Sequence, residues 1–334
     1  MEQKKLKIAV IGIGGRTGTM FAHELKKAGD VLGVGKEREI ETIQEKKLYL
    51  KRGENSPELF EGKVINDFEF PKNFLPDIIF LTTKNPVGPV VKYYYQIMKE
   101  KGGEMPTLFL SQNGIVASDE AKKALKEVFG EEAEKIQVIK ISLFNPVDRE
   151  IVGEKICISY SLPISLSFGV VSGFRETGEI KNIFDKTGIK AEEISPENVR
   201  NMEFSKLFLN LIGMASATHG FSVGQGFQDP EIFREEAEML REYVKIVQAE
   251  GGNFLNFSHY PVKLLASLFK ILPIKFLLVF RGQIGKLIEK GRKGKRKDLD
   301  EIEYYNGAVV NLGKKIGLPA SINQKIVERV LYKR

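Results

Sequence analysis

A glycine-rich segment, Gly12-Ile13-Gly14-Gly15-Arg16-Thr17-Gly18, closes the apolar run Lys7–Gly12 near the start of this 334-residue chain. Glycines at such a turn let the backbone approach a ligand closely. A helix beginning there adds unpaired amide donors and a positive dipole end. A pyrophosphate needs all of these. The spacing departs from a plain G-x-G-x-x-G: Thr17 takes the third glycine's place and Gly18 follows one residue later, as in a loop lengthened by one residue. A glycine turn can also bind nothing, so its neighbours decide. Residues 16–28 have helical spacing, with Met20, Phe21, Leu25 and Ala28 able to share a face. Gly29 is placed to end that helix, and Val31–Gly35 reads as a second strand. Strand, turn, helix and strand make a βαβ unit, and the expected ligand is a nicotinamide dinucleotide. An acid ending the second strand would hold a ribose 2′-hydroxyl. Here the end reads Gly35-Lys36-Glu37-Arg38. Lys36 or Arg38, helped by Arg16, can hold a 2′-phosphate, with Glu37 opposing. The expected cofactor is NADP, with NAD as the alternative.

The elements that position this loop continue the pattern. Strands are expected at Asp77–Thr83, Thr107–Ser111 and Ile136–Ser142, alternating with helices at Val90–Lys101 (started by Pro89) and Asp119–Val128. Glu150–Ser159 and Ser165–Ser172 have strand composition and are expected to extend the same sheet. A helix at Phe174–Thr187 and a strand at Lys190–Ile194 follow. The reading is a doubly wound, mostly parallel α/β Rossmann sheet over residues 1–195. Ser195-Pro196 then suits a helix start, and residues 196–334 read as an all-α domain. Val262–Phe280 is the most apolar stretch, but Lys263, Lys270 and Lys275 interrupt it and Pro273 divides it. It predicts two short amphipathic helices serving as core, cleft wall or dimer contact, in preference to a membrane attachment.

Composition excludes other classes. Cys157 is the sole cysteine, so no disulfide forms within the chain, which fits a reducing cytoplasm. His23, His219 and His259 are far apart, no Cys/His cluster has zinc spacing, and no metal is expected. Met1–Lys7 is charged and lacks the apolar stretch of a signal peptide. Basic residues exceed acidic ones by 51 to 44, and the excess is local. Lys286, Lys290, Arg292, Lys293, Lys295, Arg296 and Lys297 face only Glu289. The cluster reads as a solvated loop, and without interleaved aromatics it does not suggest nucleic acid.

Four further segments are informative in order. They are Leu81-Thr82-Thr83-Lys84, Ser111-Gln112-Asn113-Gly114-Ile115, Phe204-Ser205-Lys206-Leu207-Phe208-Leu209-Asn210 and Asp300-Glu301-Ile302-Glu303-Tyr304-Tyr305-Asn306-Gly307. With the glycine loop, their order and spacing resemble the ketopantoate reductase (2-dehydropantoate 2-reductase) family along nearly the whole chain. The resemblance implies a helical second domain like the C-terminal domain of 6-phosphogluconate dehydrogenase. It also implies a homodimer and NADPH-dependent reduction of a branched 2-oxo acid, ketopantoate, to a 2-hydroxy acid on the way to pantothenate and coenzyme A. It further implies that Lys206 is the catalytic lysine, that Asn210 binds substrate, and that Glu301 serves cofactor and substrate. Lys84 and Asn113 would line the nicotinamide end.

The chemistry supports these roles. Hydride reaching a keto carbon leaves negative charge on oxygen, and a nearby proton donor lowers that barrier. A lysine in a partly dry cleft can serve, because desolvation brings its pKa toward neutrality. Lys206 and Asn210 are i and i+4, on one helix face. Taken alone, Lys206 reads as an exposed helix lysine, Asn113-Gly114 as a turn, and Glu301 as part of an acidic first helical turn. His219 reads as structural. The match also departs from the family. Met214 stands where members often carry a second asparagine, and the basic cluster replaces a serine-containing segment that helps hold the substrate carboxylate. These departures allow another 2-oxo acid, or a relocated carboxylate site using a lysine or arginine of 286–297; the alternative of a different class is a non-catalytic dinucleotide-binding or membrane-surface protein.

Overall fold

The computed structural model describes residues 5–332 apart from 68–69, 72–73, 174–176, 259 and 293, and only the backbone of 287–292. His259, Lys293, the start of the helix expected at Phe174, and the side chains of Lys290 and Arg292 lie outside the described residues. Two compact units form, residues 1–112 with 117–199, and residues 113–116 with 200–334.

The first unit begins β1 (Leu6–Ile11), α1 (Arg16–Leu25), β2 (Gly29–Gly35), α2 (Glu37–Glu45), β3 (Lys47–Arg52), β4 (Glu58–Leu59), β5 (Lys63–Asn66) and β6 (Ile78–Leu81). It continues α3 (Gly88–Lys101), β7 (Thr107–Leu110), α4 (Ala117–Phe129), β8 (Val138–Leu143), β9 (Val147–Val152), β10 (Lys155–Tyr160), β11 (Ser165–Ser172), α5 (Thr177–Thr187) and β12 (Lys190–Glu193). The main sheet has the order β12-β11-β8-β7-β6-β1-β2-β5. Its pairings are parallel except β11 on β8. Strand order reverses between β1 and β6, which makes the crevice at their carboxyl ends the ligand position of a Rossmann sheet. Alternate residues bury opposite ways. Ile8 and Val10 join a core with α1 and α5, while Ala9 and Ile11 join one with α3 and α4.

Two expectations are corrected here. Residues 150–159 do not extend the main sheet. A two-residue turn at Gly153 (φ +60°) folds β10 back on β9, and β10 pairs in parallel with β3 in a separate sheet of order β4-β3-β10-β9. The cause is amphipathicity: Ile156, Ile158 and Tyr160 are buried, and α1 packs against β9 and β10. Gly29 does not end α1, which stops at Leu25. It begins β2, where a Cβ would stand 2.3 Å from the Leu6 carbonyl oxygen.

Glu24 ties α1 to the second sheet. Tyr160 donates to its carboxylate at 2.7 Å, Arg52 Nε at 2.8 Å and Lys27 Nζ at 2.9 Å. Burial alone would raise this carboxyl, but the Lys27, Tyr160 and Arg52 contacts outweigh it and hold it below the ordinary range.

Ser195 caps no helix. Pro196–Asn198 is a 3-10 turn, and the Ser195 hydroxyl donates to Glu197 instead. Then come α6 (Val199–Leu211), α7 (Met214–Thr218), α8 (Val223–Gln228), α9 (Pro230–Ala249), α10 (Val262–Ile271), α11 (Ile274–Arg292), a 3-10 turn at Ile302–Tyr304, α12 (Asn306–Lys315) and α13 (Ser321–Leu331). The second unit is helical among its described residues, apart from one bridge between Phe257 and Tyr260. Its axis is α9, started by Asp229, whose side chain accepts from the amides of Glu231 and Ile232, and by Pro230. Around α9 pack α7, α8 and α10 to α13. The expected break at Pro273 separates α10 from α11. The basic cluster is not all loop, because α11 runs through Arg292.

Candidate functional site

In the first unit the site is built on the glycine loop. Gly12 turns with φ +96°, and a Cβ there would stand 2.9 Å from Thr82 Oγ1 and from the Thr83 amide. Gly18 is tighter still, with 2.2 Å from its Cβ position to the Gly12 carbonyl oxygen. Although displaced by one residue, Gly18 therefore does the third glycine's work of close helix–strand packing. Ile13 is fully buried between Gly33 and Gly35. The loop is anchored by Gly12 and Ile13 amides donating to Val34 O (2.8 and 3.1 Å) and by Thr19 Oγ1 donating to Ile13 O (2.8 Å). Gly15 is the N-cap of α1, and Arg16, Thr17 and Gly18 form its first turn. Their amides lack intrahelical partners, as in any first turn.

The neighbouring strand ends face the same edge. Thr82 Oγ1 donates to Ile11 O at 2.7 Å. Gln112 Nε2 donates to Leu81 O and Thr83 O, both at 3.0 Å, and the buried Lys140 donates to Gln112 O at 2.5 Å. Thr83 Oγ1 and Gln112 Oε1 are buried without a hydrogen-bond partner among the described residues. Buried polar atoms are almost always paired, so two at this edge suit a polar ligand. The glycine cradle and these two atoms fit a dinucleotide. Lys84, one residue beyond Thr83, is exposed. Thr83 and Gln112 were missed from sequence, although both flank named residues at strand carboxyl ends.

Lys36 and Arg38 are exposed at the start of α2. Glu39, also missed, lies closer to the loop. Its Oε2 accepts from the Lys36 amide at 3.2 Å and is 2.8 Å from a Cβ position on Gly14 and 3.2 Å from one on Gly35.

In the second unit, α6 presents one open strip. From Met202 to Thr218 every residue is buried except Lys206, Leu209 and Asn210, at i, i+3 and i+4. Phe204, Leu207, Phe208 and Leu211 hold the helix in the core. Asn210 Nδ2 donates to Asn113 Oδ1 at 3.1 Å, and Lys297 donates to the Asn210 carbonyl. Gly114 has φ +93°, and a Cβ there would stand 2.8 Å from Tyr304 O. Glu301 opens that same turn, its carbonyl accepting from the Tyr304 amide at 2.9 Å. Asn113, Asn210, Lys297 and the Glu301 turn are therefore neighbours. Met214 is fully buried beyond Gly213, whose φ of +91° ends the path of α6. It belongs to the core and leaves the open strip one polar group short of the family pattern. His219 pairs with Glu235 at 2.8 Å beside Arg329.

Comparison with known proteins follows these two halves. Residues 8–138 match the family described as Ketopantoate reductase PanE/ApbA, and residues 198–333 match its C-terminal counterpart. A search among curated proteins found no match. Among solved structures, similar folds include a PanE/ApbA family ketopantoate reductase from Ralstonia eutropha JMP134 (TM-score 0.71, 17% identity, 98% of each chain). Another is D-mandelate dehydrogenase solved with NADH and anilino(oxo)acetate (TM-score 0.72, 16% identity, 98% of each chain). A dimeric ketopantoate reductase from Staphylococcus aureus aligns over 97% of this chain and 96% of that one (TM-score 0.63, 17% identity). The fold is shared with all three, and with both domain models matched in order the chain belongs to the ketopantoate reductase family.

Proposed function

We propose that the chain reduces a 2-oxo acid to a 2-hydroxy acid with NAD(P)H, ketopantoate to pantoate being the first reaction to test. The observation that carries this is the strip on α6, where Lys206, Leu209 and Asn210 are the part-exposed residues between Met202 and Thr218 and Asn210 is held by Asn113. A nicotinamide dinucleotide held at the glycine loop would supply the hydride for the keto carbon. Lys206 gives its ammonium proton to the oxygen as the carbonyl bond opens, then recovers one from solvent. Asn210, oriented by Asn113, donates to a substrate oxygen. The second reading, an aromatic or other 2-oxo acid, is favoured by Met214, whose burial removes the second amide, and by the likeness to D-mandelate dehydrogenase. A panel of 2-oxo acids, read by dinucleotide oxidation, separates the two. Ketopantoate turned over far better than the rest leaves the first, and an aromatic 2-oxo acid preferred leaves the second. By the same family likeness, the chain functions as a cytoplasmic homodimer.

Lys297 is the proposed anchor for the substrate carboxylate, since its ammonium already sits at the Asn210 carbonyl. Lys297→Met is expected to raise KM for the 2-oxo acid about tenfold to a hundredfold with a smaller change in kcat, the loss of one charge-assisted contact. An unchanged KM would move the carboxylate site elsewhere.

What supports NADH over the NADPH suggested by Lys36 and Arg38 is the Glu39 carboxylate against Gly14 and Gly35. A carboxylate there accepts from a ribose 2′-hydroxyl and repels a 2′-phosphate. In Glu39→Gln, titration should show NADPH binding about tenfold tighter and NADH weaker, a change of ~1.4 kcal/mol in each free energy. Tighter NADPH than NADH binding by the wild type would return the preference to Lys36 and Arg38.

A further inference from the structure

We propose that the outer face of α10 and α11 docks on an anionic lipid bilayer. On α10, Leu264, Leu268 and Ile271 (73% exposed) recur at i, i+4 and i+7. On α11, Phe276 (60%), Val279 (72%) and Phe280 recur at i, i+3 and i+4. Each set is one stripe pointing outward. The inner sides of the same helices, with Val262, Ala266, Phe269 and Leu277, already fill the core, so the stripes are not required for folding. Of the core, cleft-wall and dimer-contact expectations for this stretch, core burial holds for the inner sides.

The charges indicate what covers the stripes. From Gly251 to Ile288 there is no acidic residue, while Lys263, Lys270, Lys275, Arg281 and Lys286 are spread along it. Measured from the middle of each stripe, Lys275 and Lys286 lie about a quarter turn away and Lys263 and Lys270 about a third of a turn. That is the pattern of helices lying in a membrane interface, apolar groups in the acyl boundary and long cations reaching the headgroups. A second copy fits less well. A two-fold contact would set this patch against itself, bringing basic rims together with no acid from the segment between them. Among the described residues no helix is long and apolar enough to cross a membrane, so the contact lies in the plane of the surface.

The test uses the full chain, sedimented with phosphatidylcholine vesicles with and without phosphatidylglycerol. Binding is expected only with phosphatidylglycerol, and it should weaken as salt rises. Lys270→Ser/Lys275→Ser should bind about 25-fold more weakly, at about fivefold per charge. Phe276→Ser/Val279→Ser should lose about tenfold or more. These side chains are exposed, so both variants should keep the wild-type Tm and dinucleotide affinity. No binding to phosphatidylglycerol vesicles at low salt overturns the proposal. A wild-type dimer that dissociates in Phe276→Ser/Val279→Ser without vesicle binding also overturns it, and gives the face to a second copy.

Discussion

In Lys206→Ala, kcat for the preferred 2-oxo acid should fall by about 10²- to 10⁴-fold, the usual contribution of a positioned proton donor, while dinucleotide affinity stays near wild type. Helix α6 is fixed by Phe204, Leu207, Phe208 and Leu211 in the core, so the half-buried Lys206 contributes little to that packing. Its removal leaves those four in place, and the expected change in stability is about 1 kcal/mol or less. The lost quantity is the proton that neutralises the forming alkoxide. Lys206→Arg separates charge from proton transfer. A guanidinium keeps the positive charge but does not give up its proton near neutral pH, so it should restore KM more than kcat. Wild-type kcat in Lys206→Ala would remove the lysine from the mechanism.

The second large effect is expected at the glycine loop, where two glycines serve different ends. In Gly18→Ala the new methyl would stand 2.2 Å from the Gly12 carbonyl oxygen, so helix and strand must part. Dinucleotide Kd should rise about a hundredfold, ~2.7 kcal/mol, and Tm should fall with it. In Gly15→Ala the methyl meets only the Gly12 carbonyl oxygen, at 3.3 Å, on the exposed N-cap of α1. This variant should keep its Tm and lose affinity alone, because the methyl blocks the approach of a pyrophosphate to the first-turn amides. Equal effects of the two substitutions on Tm would contradict the division of roles. Calorimetry with NADH and thermal unfolding read both quantities.

Local signals carried much of this fold. The loop, α1 and the alternation of strands and helices out to β8 follow from short-range periodicity and from glycine and proline punctuation. Gly18 was legible as a displaced glycine, and the contact with Gly12 explains how the displacement is accommodated. β3 was not legible locally, because it gains its meaning from β10. Lys47 pairs with Lys155 across more than a hundred positions, and no local pattern encodes such a partner. The same limit applies at the site. Lys206 and Asn210 share a face by spacing alone, but the bond from Asn210 to Asn113 spans 97 positions. Met214 continues the i, i+4 series on paper, and only the left-handed Gly213 takes it off the helix. Glu39 was hidden because an acid at the third position of a helix reads as a capping residue. It does cap Lys36, and it does so from a place over the loop.

The central claim is that this chain moves a hydride to a 2-oxo acid and a proton from Lys206 to its oxygen. The most direct measurement uses NADH deuterated at the transferring position, the wild-type protein and a panel of 2-oxo acids, with the mass of the product recorded. The expected product is a 2-hydroxy acid carrying deuterium on C2, formed by the wild type and not by Lys206→Ala in the same time. A wild-type protein that binds NADH by titration but forms no labelled 2-hydroxy acid from any member of the panel would contradict it, and would make the chain a dinucleotide-binding protein without this chemistry.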